Sequence, residues 1–276
     1  MLDRPLQSFT ASDGLQLRYA EDDFTNPWEP AETLILIHAA MGSSRRMHLW
    51  VPHLARRVRV IRPDMRGHGQ SPVPPEDGLS LERLSQDVVE LMDHLGVEKA
   101  HLAGSSAGGI VSLNTAITRP GRVRSVSTFA ALPGLKMSAG HTSYTTWVDR
   151  IGSEGVAAFL RDTIETRFDL TQVSPAFIDW FIAESARNDV GLLRRFVAMM
   201  AAADIGDRLP EIACPALAVV PSGDPLHTDE QYDILRQRIP GVDFVVYENL
   251  PHNITDALPD RCARELARFL DGLATA

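Results

Sequence analysis

Six short apolar runs recur along this chain, and most are separated by segments with helical periodicity. The runs are Leu34–Ile37, Val58–Ile61, Ala100–Ala103, Val123–Phe129, Ala216–Val220 and Asp243–Tyr247. They are too continuous for burial on one face only, so they predict strands covered on both sides. Strands that alternate with helices form parallel sheets. The expected fold is therefore α/β, with a mostly parallel central sheet and helices on both of its faces.

The helical pattern is clearest over Leu81–Leu95, where apolar residues recur on one face. Ser80 precedes this segment and Gly96 follows it, as expected for the two ends of a helix. A second helix is predicted over Arg261–Leu270. Near the start of the chain, the Asp13–Gly14 pair indicates the turn of an antiparallel hairpin.

One stretch, from about Pro133 to Leu209, contains no strand-like run. Its patterns are helical instead, over Tyr144–Ile151, Gly155–Thr166, Pro175–Arg187 and Leu192–Ala203. We therefore expect a helical cap at residues 133–209, inserted into a core made of residues 1–132 and 210–276. A length of 276 residues then corresponds to one sheet domain with an insertion.

Charge and composition narrow the possible partners. The chain has 27 basic and 36 acidic residues, and a net charge of −9 disfavours binding to nucleic acid. The longest apolar run, Phe196–Ala203, is too short to span a membrane, and Met1–Thr10 lacks the pattern of a signal peptide. Cys214 and Cys262 fit a reducing compartment, so a cytoplasmic location is expected. The oligomeric state stays open, a homo-oligomer included.

The most informative segment is a G-x-S-x-G motif centred on Ser106, within His101–Gly109. It follows a predicted strand and precedes a predicted helix, Ile110–Ile117, which is the context of a nucleophile elbow. In such a turn the N–H of Ala107 is expected to donate to an oxyanion. The alternative is a small-residue turn required only for packing, and Ser105 is the rival hydroxyl.

A second loop follows the first predicted strand of the core, at His38–Ser44. Its small residues suit a backbone that approaches a substrate oxygen, and the N–H of Ala40 is the candidate for the second oxyanion donor. His38 is expected to support the loop or to orient substrate. The alternative is a plain turn between a strand and a helix.

A serine nucleophile needs a base, and the base needs a carboxylate that orients it. In this topology the chain order is Ser, then Asp or Glu, then His. Asp224 and His252 follow in that order, each just past the carboxyl end of a predicted strand, where active sites of α/β sheets form. Weaker candidates are Asp229, Asp256, His141, which could face the pocket, and His227, which could lie at its rim. No metal or nucleotide motif is present, so neither a metal nor a cofactor is expected.

These motifs resemble the α/β-hydrolase superfamily over nearly the whole chain. The most specific segment is Asp64–Ser71, which reads D-x-R-G-H-G-x-S, and the resemblance implies that its polar residues are architectural. It also implies that Ser106, Asp224 and His252 are nucleophile, acid and base. Two departures are Ala39, where the family usually has Gly, and Pro221, where many relatives have Gly.

The predicted cap is similar to that of 3-oxoadipate enol-lactonases, on the segments Trp147–Ile151, Thr166–Phe168 and Ala203–Ile205 and on Gly155. This likeness implies a small acidic or cyclic ester as substrate. The substrate-binding candidates are His38, Trp147, Arg167 and Phe168. Arg167 could pair with a substrate carboxylate, or it could be a structural arginine.

The expected activity is hydrolysis of a small carboxylic ester or (enol-)lactone through an acyl-enzyme. Alternatives on the same fold are a carbon–carbon bond hydrolase acting on a ring-cleavage diketone and a cofactor-free oxygenase or perhydrolase. A binding protein without activity is a further alternative, because a fold does not fix a function.

Overall fold

The computed structural model describes residues 5–135 and 144–274. Within these residues eight strands form one sheet in the order β1-β2-β4-β3-β5-β6-β7-β8. All neighbours from β4 through β8 pair in parallel, whereas β2 pairs antiparallel with both β1 and β4. The mostly parallel sheet and the N-terminal hairpin are therefore confirmed. The strands are β1 Gln7–Thr10, β2 Gln16–Asp22, β3 Thr33–Ile37, β4 Arg59–Asp64, β5 Ala100–Ser105, β6 Val123–Phe129, β7 Ala216–Pro221 and β8 Asp243–Tyr247.

Helices cover both faces of the sheet, as the continuous apolar runs predicted. The α-helices are α1 Val51–Leu54, α2 Leu81–His94, α3 Ala107–Thr118, α4 Tyr144–Glu154, α5 Val156–Asp162, α6 Pro175–Ser185, α7 Val190–Ala202, α8 Asp229–Arg238, α9 Ile254–Ala257 and α10 Pro259–Ala274. In β3, Ile35 and Ile37 pack with α2 and α3, whereas Leu34 and Leu36 pack with α1 and α10. This alternation is what a strand buried on both faces requires.

Two helical segments differ from the sequence expectation. The pattern over Gly155–Thr166 is split, because α5 ends at Asp162 and a separate 3-10 turn spans Ile164–Thr166. Helix α8 was not predicted, because most of its surface is polar and only Tyr232 and Leu235 are buried. Its start did carry a signal, since Thr228 and Gln231 form a reciprocal capping box.

Four helices, α4 to α7, follow β6 and precede β7, and we call them the cap helices. They share an apolar cluster that includes Phe159, Phe181 and Leu193, and Met41 from the loop after β3 also belongs to it. The exact division of the chain into core and cap at residues 133 and 209 stays a prediction. No helix in the two described ranges combines the length and apolar character needed to cross a membrane.

The turn after β4 holds the polar residues that the resemblance assigned to architecture. Buried Asp64 accepts the backbone N–H of Ser44 at 2.6 Å and that of Gln70 at 2.8 Å. Arg66 is fully buried and forms two hydrogen bonds of 2.6 Å to Asp87. These contacts tie the turn to the loop after β3 and to α2.

Candidate active site

The G-x-S-x-G segment forms a tight turn between β5 and α3. Ser106 has a φ of +48° and a ψ of −115°, a strained conformation for a residue with a side chain. A Cβ on Gly104 would overlap the carbonyl of Gly108, and one on Gly108 would overlap the carbonyl of Ile37. The two glycines of the motif are therefore required by close backbone approach.

Three side chains from distant parts of the chain meet at the carboxyl ends of β5, β7 and β8. The Nε2 atom of His252 lies 3.1 Å from Oγ of Ser106. The Nδ1 atom of His252 lies 2.8 Å from Oδ2 of Asp224. An ionised carboxylate only accepts hydrogen bonds, so we place the proton on Nδ1. The Nε2 lone pair then faces the hydroxyl of Ser106, as a general base requires.

The carboxylate of Asp224 is buried but well supplied with donors. Oδ1 accepts the N–H of Leu226 at 2.8 Å, and Oδ2 accepts the hydroxyl of Tyr232 at 2.6 Å. Burial raises the pKa of Asp224, but the interaction with His252, the neighbouring His227 and the hydrogen bond from Tyr232 outweigh burial, so the pKa lies below its usual value. Asp224 is therefore ionised at neutral pH.

The loop that carries His252 is anchored next to the elbow. The hydroxyls of Thr255 and Ser105 lie 2.8 Å apart, and Nε1 of Trp50 donates to the carbonyl of Thr255 at 3.2 Å. Ser105, the rival hydroxyl, is thus buried and occupied with this anchor. The structure brings His252 to Ser106 instead.

The turn after β3 presents one of the two candidate oxyanion donors. The carbonyl of Ala39 accepts Nδ1–H of His38 at 2.8 Å and N–H of Gly42 at 3.0 Å. A trans peptide directs its N–H opposite to its C=O, so fixing this carbonyl also fixes the N–H of Ala40. Ala40 lines the same cavity as Ser106 and Ala107. Ala107 begins α3, and the first N–H groups of a helix have no partner inside the helix.

His38 supports this turn from behind. Its Nε2 accepts the N–H of Met65 at 3.0 Å, so its proton lies on Nδ1 and points at Ala39. Burial lowers the pKa of His38 to about 4, which keeps the ring neutral. His38 is not among the described residues that line the cavity. Its position is that of a loop-supporting residue, one of the two roles expected from the sequence.

A cavity lies between the cap helices and the turns that carry Ser106 and Ala40. The space within it, open mouth included, is about 550 Å³. Its polar floor is formed by Ser106, His252 and the two turns that carry Ala40 and Ala107. The remaining wall is mostly apolar and includes Met41, Leu135, Trp147, Phe196, Val197, Met200 and Leu226.

Arg167 gives this wall a positive charge. The side chain is buried, with a residue exposure of 6%, and its Nε and Nη2 atoms have no hydrogen-bond partner among the described residues. The guanidinium lies 4.7 Å from the ring centroid of Trp147. Burial and the nearby charge of Arg46 lower the pKa of Arg167 to about 10, so it remains a cation at neutral pH. A buried, unpartnered cation in the wall is suited to an anionic group of a ligand.

The four substrate-binding candidates therefore separate into two pairs. Trp147 and Arg167 line the cavity, whereas His38 and Phe168 lie behind its surface. The ring of Phe168 packs edge-on against Phe177 and Phe181, at 5.3 and 4.8 Å between centroids. Phe168 thus occupies the apolar centre of the cap and not the wall where a substrate contact would be made.

Several residues near the site were missed or misplaced by sequence reasoning. His227 does not lie at a rim, because it is buried and its ring centroid is 5.2 Å from that of His252. His141 lies outside the described residues. Tyr232, which donates to Asp224, is not among the candidates that the sequence offered. The capping box at Thr228 was the signal that could have placed Tyr232 on a helix beside the acid.

One group in the described part of the chain brings three potential metal ligands together. Ligand atoms of Asp224, His227 and His252 all lie within 4.8 Å of one another. A metal ion bound through Oδ2 of Asp224 and Nδ1 of His252 would replace the hydrogen bond that joins them. The same atoms therefore serve either a metal ion or the serine–histidine–aspartate arrangement, but not both.

Comparison with known proteins identifies relatives of this chain. A family model described as alpha/beta hydrolase fold matches residues 32–256. The 3-oxoadipate enol-lactonase 1 of Acinetobacter baylyi is 26% identical over 223 residues, which are 78% of this chain and 80% of that protein. A shorter stretch of 103 residues is 44% identical to the dihydrolipoyllysine-residue acetyltransferase component of the acetoin cleaving system of Pseudomonas putida, and it spans 37% of this chain and 28% of that protein.

Solved structures show the same architecture. The crystal structure of the enol-lactonase from Burkholderia xenovorans LB400 matches with a TM-score of 0.87 and 23% identity, covering 96% of this chain and 100% of that chain. At this identity the match shows the fold. The resemblance that the motifs predicted is confirmed, in both the family and the fold.

Proposed function

This chain belongs to the alpha/beta hydrolase fold family, and on that premise we propose that it hydrolyses a small carboxylic ester or lactone through an acyl-enzyme. One observation carries the proposal: hydrogen bonds join Ser106 to His252 and His252 to Asp224, at 3.1 and 2.8 Å. A hydroxyl, an imidazole and an ionised carboxylate in this order make the hydroxyl a nucleophile.

The reaction follows from the position of each group. Nε2 of His252 takes the proton of Ser106 as Oγ attacks the substrate carbonyl. The N–H groups of Ala40 and Ala107 hold the resulting oxyanion, and Asp224 stabilises the protonated imidazole. The intermediate collapses as His252 returns its proton to the leaving oxygen. Water, deprotonated by His252, then releases the acid and frees Ser106.

The wall of the cavity supports a narrower substrate class. A mostly apolar cavity lined by a buried cation suits a small ester or lactone that also carries a carboxylate. Arg167 lines this cavity and would bind that carboxylate through a charge-assisted hydrogen bond. The enol-lactonase relative, by its name, acts on a lactone, which agrees with this class.

Two measurements test the serine mechanism. A fluorophosphonate probe is expected to label Ser106 covalently, and Ser106→Ala is expected to lose the label and to lower kcat by a factor on the order of 10⁶. Ser105→Ala is the matched control, because it removes the neighbouring hydroxyl and should keep the label. Near-normal turnover by a folded Ser106→Ala variant would exclude the mechanism.

The bond that is cleaved is tested with a substrate panel. Enol-lactones and aryl esters, each with and without a free carboxylate, are compared with ring-cleavage diketones. We expect turnover of the esters and lactones, with preference for the carboxylate-bearing members. Turnover of the diketones alone would instead identify a carbon–carbon bond hydrolase.

A further inference from the structure

Asn188, in the short link between α6 and α7, is a buried cap residue whose amide binds the core. Its Oδ1 accepts the N–H of Gly69 at 3.1 Å. Its Nδ2 donates to the carbonyls of Met41 and Ser185, at 3.1 and 2.9 Å. The orientation of the amide is fixed, because a flipped group would set Nδ2 against the N–H of Gly69. The contact with Met41 joins the cap directly to the turn after β3.

The carbonyl that Asn188 binds belongs to Met41, the residue that follows Ala40. Met41 has a φ of +58°, a conformation that a residue with a side chain adopts rarely and that its surroundings must maintain. The peptide between Met41 and Gly42 is held at both ends, by Asn188 at its C=O and by the carbonyl of Ala39 at its N–H. The cap thus holds one side of Ala40, and His38 holds the other through Ala39.

From this geometry we infer that Asn188 is a positioning residue through which the docked cap sets the oxyanion turn. The inference rests on the proposed function, in which the N–H of Ala40 binds the oxyanion. With the cap in place, Met41 stays in its strained conformation and Ala40 keeps its direction. The cap therefore contributes to the rate of the chemical step, in addition to enclosing the substrate.

Arg195 on α7 offers a matched comparison. Its guanidinium also joins a cap helix to the core, since Nη1 donates to the carbonyl of Pro75 at 2.9 Å and Nη2 to that of Pro74 at 3.0 Å. These two hydrogen bonds do not involve the turn after β3. Removing them weakens the attachment of the cap without touching the peptide between Met41 and Gly42.

The test compares Asn188→Asp and Asn188→Ser with Arg195→Gln. Asn188→Asp keeps an acceptor for Gly69 and removes both donors, and the smaller serine provides a second variant if the first does not fold. We expect kcat to fall about tenfold or more in the Asn188 variants, because misdirecting one oxyanion donor weakens transition-state binding. KM should change less than about threefold, because ground-state contacts persist. Binding of a trifluoromethyl ketone, which forms a tetrahedral oxyanion, should weaken by the same factor as kcat.

The outcomes separate the inference from its premise. Arg195→Gln should retain kcat within about threefold. A folded Asn188 variant with unchanged kcat, or an equal loss of kcat in Arg195→Gln, would overturn the role of Asn188. Persistent turnover by Ser106→Ala would instead remove the proposed function, whatever the Asn188 variants do.

Discussion

The floor and the wall of the cavity differ in whether their charged groups have hydrogen-bond partners. On the floor, Asp224 receives three hydrogen bonds and both ring nitrogens of His252 have a partner. In the wall, the guanidinium of Arg167 is buried, and two of its nitrogen atoms have no hydrogen-bond partner among the described residues. The groups on the floor that we propose to react are thus held in place by hydrogen bonds. The wall instead contains a charge for which a ligand would be the partner. Under the proposed function, reactivity and selectivity are located on different parts of the chain.

A second arginine makes the contrast with Arg167 sharper. Arg46 is also buried and lies 4.3 Å from the ring centroid of Phe181 in the cap. It forms two hydrogen bonds to Asp256, at 2.8 and 2.6 Å. Both arginines stack on a cap aromatic ring, but of the two only Arg46 is hydrogen-bonded to a carboxylate. An unpaired buried charge is costly, so we expect Arg167 to lower stability until a ligand binds.

The largest expected effect concerns the floor. Asp224→Asn keeps the size of the side chain but removes its charge, so the wrong tautomer of His252 is favoured and the imidazolium loses its partner. We expect kcat to fall by a factor of about 10⁴. Tyr232→Phe is the matched control, since it removes one of three donors to Asp224 and should cost less than about tenfold. A decrease in kcat of less than tenfold in Asp224→Asn would contradict the proposed role of Asp224 in orienting His252.

The next effect is a loss of folding stability in acid, caused by two buried histidines, His38 and His68. Burial lowers the pKa of His38 to about 4 and that of His68 to about 3, while the unfolded chain takes up these protons near pH 6.5. Between these pH values the unfolded state binds more protons, so stability is full above pH 6.5 and falls as the pH decreases towards 4. The expected loss is on the order of 3 kcal/mol for each histidine.

Urea unfolding at several pH values measures this effect. His68→Gln should reduce the dependence of the unfolding free energy on pH, because one of the two buried groups no longer titrates. An unfolding free energy that does not vary between pH 7 and 4.5 would show that these histidines are not held neutral by burial.

The smallest effect concerns Arg167 in the wall of the cavity. Arg167→Met should raise KM for a carboxylate-bearing ester about 10- to 100-fold, because a charge-assisted hydrogen bond is lost. KM for the matching uncharged ester should change little. The same variant should unfold at an equal or higher temperature, since the unpaired charge is gone.

Arg46→Met is the matched control for stability. It leaves Asp256 without its partner and should lower the unfolding free energy by about 3–5 kcal/mol. Equal destabilisation in Arg46→Met and Arg167→Met would mean that Arg167 has a structural partner after all. Equal KM values for charged and uncharged esters in wild-type protein would remove its role as an anion site.

The residues that sequence reasoning identified share a local signal. Ser106 lies in a motif whose glycines are required by the backbone itself, and Asp224 and His252 directly follow strands. Residues without such a signal were missed. Asn188 binds Met41 and Gly69, which are 147 and 119 positions away, and no local pattern predicts such a contact. Phe168 and Trp147 are both aromatic residues of the predicted cap, but only Trp147 lines the cavity.

The sequence by itself determined the order of the elements, the parallel sheet and the elbow, because periodicity and backbone sterics act between neighbours in the chain. It also determined which chemical groups follow the strands. The tertiary structure alone decided which polar atoms have partners and which do not. That distinction depends on the packing of segments far apart in the chain, and it separates the paired Arg46 from the unpaired Arg167.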